Sequence, residues 1–246
     1  MVSSTSYRVE PYTPRHTSWP YSPSDFTRQD SSPDTSFYTS PRFVTHIDDA
    51  AIVSLREYYD SVLPRKGKIL DFCSSWVSHY PPSIEQAVQR GELQVTGMGM
   101  NKAELDANAL LNNGHIATSL PETSPSAKLD ASTCVVSIDY LTSPVAALTS
   151  LRTATKSSGT VHLVISNRCF PTKAMSRWLR VDENERLQMV GDYLHFAGWK
   201  GIEIVEVSDG KATQEKGQEA SGGLFGWMGM GGSDPLWVVR ARNEIE

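Results

Sequence analysis

A chain of 246 residues, 39% of them apolar, can bury one sizeable core, and one large domain is the simplest count. With 9% aromatic and 21% charged residues it is neither disordered throughout nor a coiled coil, and a net charge of −5 excludes a protein built to grip phosphate backbones over a broad basic face. Three widely spaced cysteines, Cys73, Cys134 and Cys169, supply neither a zinc-binding spacing nor a disulfide framework, which points to a reducing compartment.

Residues 1–41 hold six of the fourteen prolines and ten serines, so a core element is not expected there. The aromatic residues Tyr7, Tyr12, Trp19, Tyr21, Phe26, Phe37 and Tyr38 are unusual for a plain linker. The segment reads as a flexible arm that either packs loosely over the domain or covers an active site, and residues 42–246 read as the folded domain. Asp48 or Asp49 can cap a helix in which Ile52, Leu55 and Tyr59 recur at helical spacing, ended by Pro64 and Gly67. Residues 68–72 predict a strand, 83–91 a helix capped by Ser83, 93–100 a strand and 101–111 a helix. A weak strand at 115–120 is followed by a strong one at 132–138, a helix at 144–155 with Pro144 in its first turn, and another strong strand at 159–166. Helices are expected within 172–180 and 183–198, and strands at 201–208 and 235–242, the last two separated by a polar, glycine-rich loop at 209–234.

Strands alternating with helices predict parallel strands with right-handed crossovers, a doubly wound α/β sheet of Rossmann-like type. The final two strands lack an intervening helix and pair antiparallel most easily, so the sheet is mostly parallel with an antiparallel last strand. Ligands in such sheets bind beyond the carboxyl ends of the strands. That rule selects Asp71–Trp76, Gly97–Asn101, Ser119 and Leu120, Ser137–Tyr140, and Asn167–Cys169.

Four stretches carry a resemblance. The first strand and its loop read DFCSS (71–75), the second VTGMGMN (95–101), the fourth with its helix DASTCVVSIDYLTSPVAAL (130–148), and the fifth GTVHLVISNRCFPTKAMSRWL (159–179). Together they resemble the class I S-adenosylmethionine-dependent methyltransferases over residues 42–242, including a small subgroup with an RFVTHIDD segment and a CSSW first loop. The resemblance implies a seven-stranded methyltransferase fold, S-adenosyl-L-methionine as cofactor and methyl transfer to a small-molecule acceptor. It departs from the family in two places: Cys73 and Ser75 stand where glycines are common, and Gly99 stands where an acid usually holds the ribose hydroxyls.

Carried over residue by residue, the resemblance implies that Asp71, Cys73, Ser74, Ser75, Gly99, Met100, Asn101, Ser119, Leu120 and Ser137 line the cofactor, with Asn101 able to reach the ribose by neutral hydrogen bonds. Asp139, Tyr140, His46, Trp178 and Trp227 would face the acceptor, His46 as a base. Arg42 would pair with a carboxylate at the methionine end. Each has a plainer alternative: Asp71 as a cap of the following turn, Trp76 as core rather than a cover for the sulfonium, Asp139 and Tyr140 as the start of a helix, Cys73 and Cys134 as small buried residues. The histidines show no ligand spacing, so no metal is expected.

The rival reading is a non-catalytic methyltransferase-like module that binds a partner or an altered ligand. Nucleic acid as substrate is disfavoured by the net negative charge. No apolar run reaches the about 18 residues of a membrane span, and the N-terminus lacks the apolar middle of a secretory signal, so a cytoplasmic location is expected. Association into a homo-oligomer stays open. The glycine-rich loop, with Leu224, Phe225, Trp227, Met228 and Met230, reads as a lid or contact surface, or as a hairpin tip packed on its own domain.

Overall fold

The β-branched and aliphatic runs pair in one sheet of eight strands in the computed structural model, which describes residues 7–111, 113–116, 128–210 and 233–244. In chain order the strands are β1 (Arg8–Pro11), β2 (Gly67–Phe72), β3 (Leu93–Gly99), β4 (Asn113–Ile116), β5 (Leu129–Val135), β6 (Thr155–Ser166), β7 (Lys200–Ser208) and β8 (Leu236–Arg242). The helices are α1 (Asp34–Phe37), α2 (Asp49–Val62), α3 (Pro82–Gln89), α4 (Lys102–Ala107), α5 (Pro144–Ala154) and α6 (Glu183–Phe196).

Across the sheet the order is β1-β7-β8-β6-β5-β2-β3-β4. Strands β2 to β6 run parallel, and β8 lies antiparallel between β6 and β7. Strands β2 to β8 make the predicted seven-stranded, mostly parallel sheet, to which β1 adds an eighth strand at the edge, and the strand order reverses between β2 and β5. One apolar cluster, including Leu148, Leu151, Tyr193 and Trp199, packs under α5 and α6. The other, including Leu55, Tyr58, Tyr59 and Ile84, packs under α2 and α3. Both sheet faces are covered, which is why the parallel strands read as apolar runs rather than alternating ones.

Caps set the helix starts that frame the strand tips. The Asp48 carboxylate accepts the Ala51 N–H at 2.8 Å, Asn101 Oδ1 accepts that of Glu104 at 3.1 Å, and Asp182 that of Glu185 at 2.9 Å. Helix α3 starts one residue earlier than expected, at Pro82, so Ser83 lies inside it and donates to Asp60 instead of capping. Helix α4 is shorter than expected and ends before Asn108, whose side-chain amide donates to Ser75 O and Ser78 Oγ.

Two expectations are corrected. Residues 172–180 are a run of turns, not a helix, because outside partners take the backbone N–H groups: Met175 donates to Asp139 O, Ser176 to Thr27 O and Arg177 to Asp25 O. The segment supplying two of those carbonyls is the proline-rich arm, where no sheet element was expected. Its residues 8–11 form β1 against β7, an edge position that tolerates Pro11. The Tyr12 and Tyr21 hydroxyls then both donate to the buried Asp192 carboxylate at 2.5 Å. Trp19 and Phe26 pack on Tyr193 at ring separations of 6.0 Å.

Candidate active site

At the tips of the parallel strands lies a cavity of about 920 Å³. Its floor is the loop after β2. In register with Asp71 on β2 lie Gly97 on β3 and Thr133 on β5. The Asp71 carboxylate therefore accepts Thr133 Oγ1 at 3.1 Å, and it also accepts Ser74 Oγ and Ser78 Oγ at 2.7 Å each. Burial pushes Asp71 up to about 6, and the three hydroxyl donors work against that rise. Asp71 thus orders the loop from inside while standing in the cavity wall.

Cys73 and Ser75 also stand in the wall. Cys73 is exposed, which corrects the expectation of a buried thiol, whereas Cys134 is buried. Cys73 adopts φ 56°, the left-handed conformation that glycine takes without strain. The loop thus keeps the backbone turn of a glycine-containing version while carrying a side chain. Ser74 N–H donates to Met98 O at 2.7 Å, which draws the loop across the end of β3. There a Cβ on Gly99 would come within 2.1 Å of Ser74 O. The carboxylate commonly found at that position has no room here. Gly99 is thus a spacer beneath the loop and is not part of the cavity wall.

Met100, Asn101 and Ser137 line the cavity. Asn101 is not free to reach a ligand, contrary to expectation. Its Oδ1 caps α4, and its Nδ2 donates to Tyr38 O at 2.8 Å and Thr39 O at 3.1 Å. Ser137 Oγ donates to Val135 O at 2.8 Å. Ser119, Leu120 and Trp227 lie outside the described residues, as does most of the glycine-rich loop. Its end is tied down: Asp234 N–H donates to Asp48 at 2.5 Å, and Arg168 Nε donates to Asp234 at 2.7 Å.

On the acceptor side His46 and Tyr140 line the cavity and both contact Phe170, His46 edge-on at 5.4 Å and Tyr140 stacked at 5.9 Å. Burial lowers the His46 pKa, which keeps the imidazole neutral around pH 7. The Tyr140 hydroxyl accepts the Phe170 N–H at 2.7 Å. Asp139 is not in the wall. Its carboxyl is buried, Oδ2 has no hydrogen-bond partner, and burial pushes it up to about 8. Trp178 is 2% exposed and belongs to the core. Trp76 also stays out of the wall and donates its Nε1–H to Val44 O at 3.0 Å.

Several wall residues were not expected from the sequence. Asp34 and Tyr38 come from the arm and Phe170 from the loop after β6, next to Arg168 and Cys169, which the strand-end rule had selected. Glu104, in the first turn of α4, is 7% exposed and accepts the Arg42 N–H through Oε1 at 2.7 Å. The pattern Asn-x-x-Glu at 101–104 is a capping-box signature that could have singled Glu104 out. The Arg42 guanidinium lies 4.5 Å from the centre of the Phe37 ring and donates to Phe37 O. No group of three His, Cys, Asp or Glu among the described residues is placed to hold a metal.

A crystal structure of an S-adenosylmethionine-dependent methyltransferase from Archaeoglobus fulgidus superposes over 79% of this chain and 93% of its own, at TM-score 0.52 and 12% identity. The chain has the S-adenosylmethionine-dependent methyltransferase fold. The methyltransferase fold is also shared with a phosphoethanolamine N-methyltransferase from Haemonchus contortus, at TM-score 0.51 and 13% identity over 92% of this chain and 61% of that one. The 4+2 cyclase SpnF is similar at TM-score 0.52 and 15% identity, over 86% and 92%. No family model matches the sequence, and no curated sequence matches it. Among the described residues no helix is long and apolar enough to cross a membrane.

Proposed function

We propose that the protein transfers a methyl group from S-adenosyl-L-methionine to a small-molecule acceptor. The observation that carries this reading is the roughly 920 Å³ cavity at the strand tips, open where an altered lining could have closed it. Neither Trp76 nor Met100 plugs it, and its size lies in the range of small-molecule sites, about 300–1,000 Å³. The residues fit the cofactor at the methionine end: small side chains at 73–75 leave room, and Asp71 ties the loop down through the Ser74 and Ser78 hydroxyls.

When bound, S-adenosyl-L-methionine supplies a methyl group already activated on a sulfonium. The work of the chain is then alignment and exclusion of water. The wall formed by Asp71, Cys73, Ser74, Ser75, Met100 and Ser137 would hold the cofactor. Phe170, Tyr140 and Tyr38 would shape the acceptor site, and His46, kept neutral, would take a proton at an imidazole nitrogen from a hydroxyl or ammonium acceptor. Asp139 has no part in this scheme, because its carboxyl lies beneath the wall. The rival reading, a binding module without catalysis, draws on Gly99 and on the likeness to a cyclase, since one fold carries several chemistries.

Thermal unfolding with S-adenosylmethionine and with S-adenosylhomocysteine tests the proposal. At ligand concentrations of 100 times Kd the stabilisation is about 2.7 kcal/mol, which raises the melting temperature by roughly 5–10 °C. No shift with either ligand at millimolar concentration contradicts it.

A further inference from the structure

We propose that Glu104 replaces the carboxylate missing from the end of β3 and accepts hydrogen bonds from the ribose hydroxyls of the cofactor through Oε2. The inference rests on the methyl-transfer reading and adds to it the residue that recognises the sugar.

The usual position is closed, because a side chain at Gly99 would collide with Ser74 O. The other carboxylates and the side-chain amide of the wall nearby are already engaged, while Arg42 Nη1 is a buried donor without a partner among the described residues. Asn101 spends both ends of its amide on the α4 cap and on residues 38–39. Asp71 accepts three hydroxyls, and Asp34 is paired with Arg28 at 2.8 Å and Lys173 at 3.4 Å. Glu104 stands in the same wall, five residues beyond Gly99, with a single hydrogen bond to Oε1. Among the described residues only its Oε1 takes a hydrogen bond, and Glu104 acts electrostatically on His46 rather than pairing with a lysine or arginine.

A carboxylate accepts about four hydrogen bonds, and one withdrawn from bulk water is costly unless those sites are filled. The neighbouring Arg42 does not fill them with its guanidinium, which is turned onto the rings of Phe37, Tyr38 and Phe170. A vicinal diol offers two adjacent O–H donors to one carboxylate, the way an acidic side chain holds a ribose in nucleotide-binding sheets of this doubly wound type. Because Oε1 holds the Arg42 N–H, sugar recognition and the seating of the 38–42 strap share one side chain.

The test is calorimetric titration of wild type and Glu104→Gln with S-adenosylhomocysteine and with its 2′,3′-dideoxyribose analogue. Glutamine keeps an acceptor for the Arg42 N–H, so the strap stays seated. Wild type is expected to bind the natural ligand roughly 10- to 100-fold more tightly than the analogue, as for hydrogen bonds to a charged group. The variant loses most of that discrimination and binds the analogue as wild type does. Equal affinity of wild type for both ligands overturns the proposal even if the variant fails to fold, and so does an equal loss for both ligands in the variant. Failure of wild type to bind either ligand overturns the cofactor reading itself, and this assignment with it.

Discussion

Asp71 and Asp139 begin as similar residues at the ends of neighbouring strands, and their surroundings separate them. Asp71 meets three hydroxyl donors and reaches about 6, whereas Asp139 is buried with Oδ2 unpartnered and reaches about 8. For Asp139 the sign follows from proton counting. Below the unfolded value of 3.8 the group is protonated in both states. Between there and about 8 the folded chain keeps a proton that the unfolded chain releases, so stability falls as pH rises through that window and levels off above it. Asp139→Asn, a neutral isostere, is therefore expected to match wild type near pH 4 and to melt roughly 10–20 °C higher near pH 8. Thermal scans at the two pH values check this, and a shift of equal size at both contradicts it. Cys73 is a second residue governed by backbone geometry: its φ of 56° stores about 1–2 kcal/mol that glycine would not.

Among the elements, the arm and the 170–180 turns form a unit that neither sequence suggests alone. Lys173 is fully buried and donates to Ser32 O at 2.7 Å, with Asp30 at 3.2 Å and Asp34 at 3.4 Å. It fixes the stretch that carries Asp34 and Tyr38 into the cavity wall. Lys173→Met is expected to lower the melting temperature by a few degrees, through loss of the buried tie to Ser32 O, since Asp30 and Asp34 stay partly solvated and Asp34 keeps Arg28. Chymotrypsin should then cut faster at Phe37 and Tyr38, and affinity for S-adenosylhomocysteine should drop. Unchanged cleavage in the variant contradicts this role. The helix predicted at 172–180 failed for the same physical reason: its spacing is helical, but carbonyls about 150 residues away in sequence take its N–H groups. The strands were legible because burial on both faces leaves near-continuous apolar runs. Strand β1 was not, because an edge strand needs neither such a run nor the absence of proline.

For the whole molecule, strand order places the reversal between β2 and β5, and that alone locates the cavity. The sequence could be read this far, since the loops after the strands follow from element order. Which loop residues face the cavity could not be read, because it depends on contacts across the chain. Gly99 illustrates this: the missing acid is visible in the sequence, but the reason for its absence, the Ser74 carbonyl lying over β3, exists only in the fold. The most direct measurement is a crystal structure of the protein with S-adenosylhomocysteine. The account predicts the homocysteine portion over the 73–75 loop and the ribose at the end of β3, in hydrogen-bond reach of Glu104. A ligand bound elsewhere, or a cavity at the strand tips that stays closed to it at saturating concentration, would contradict the account.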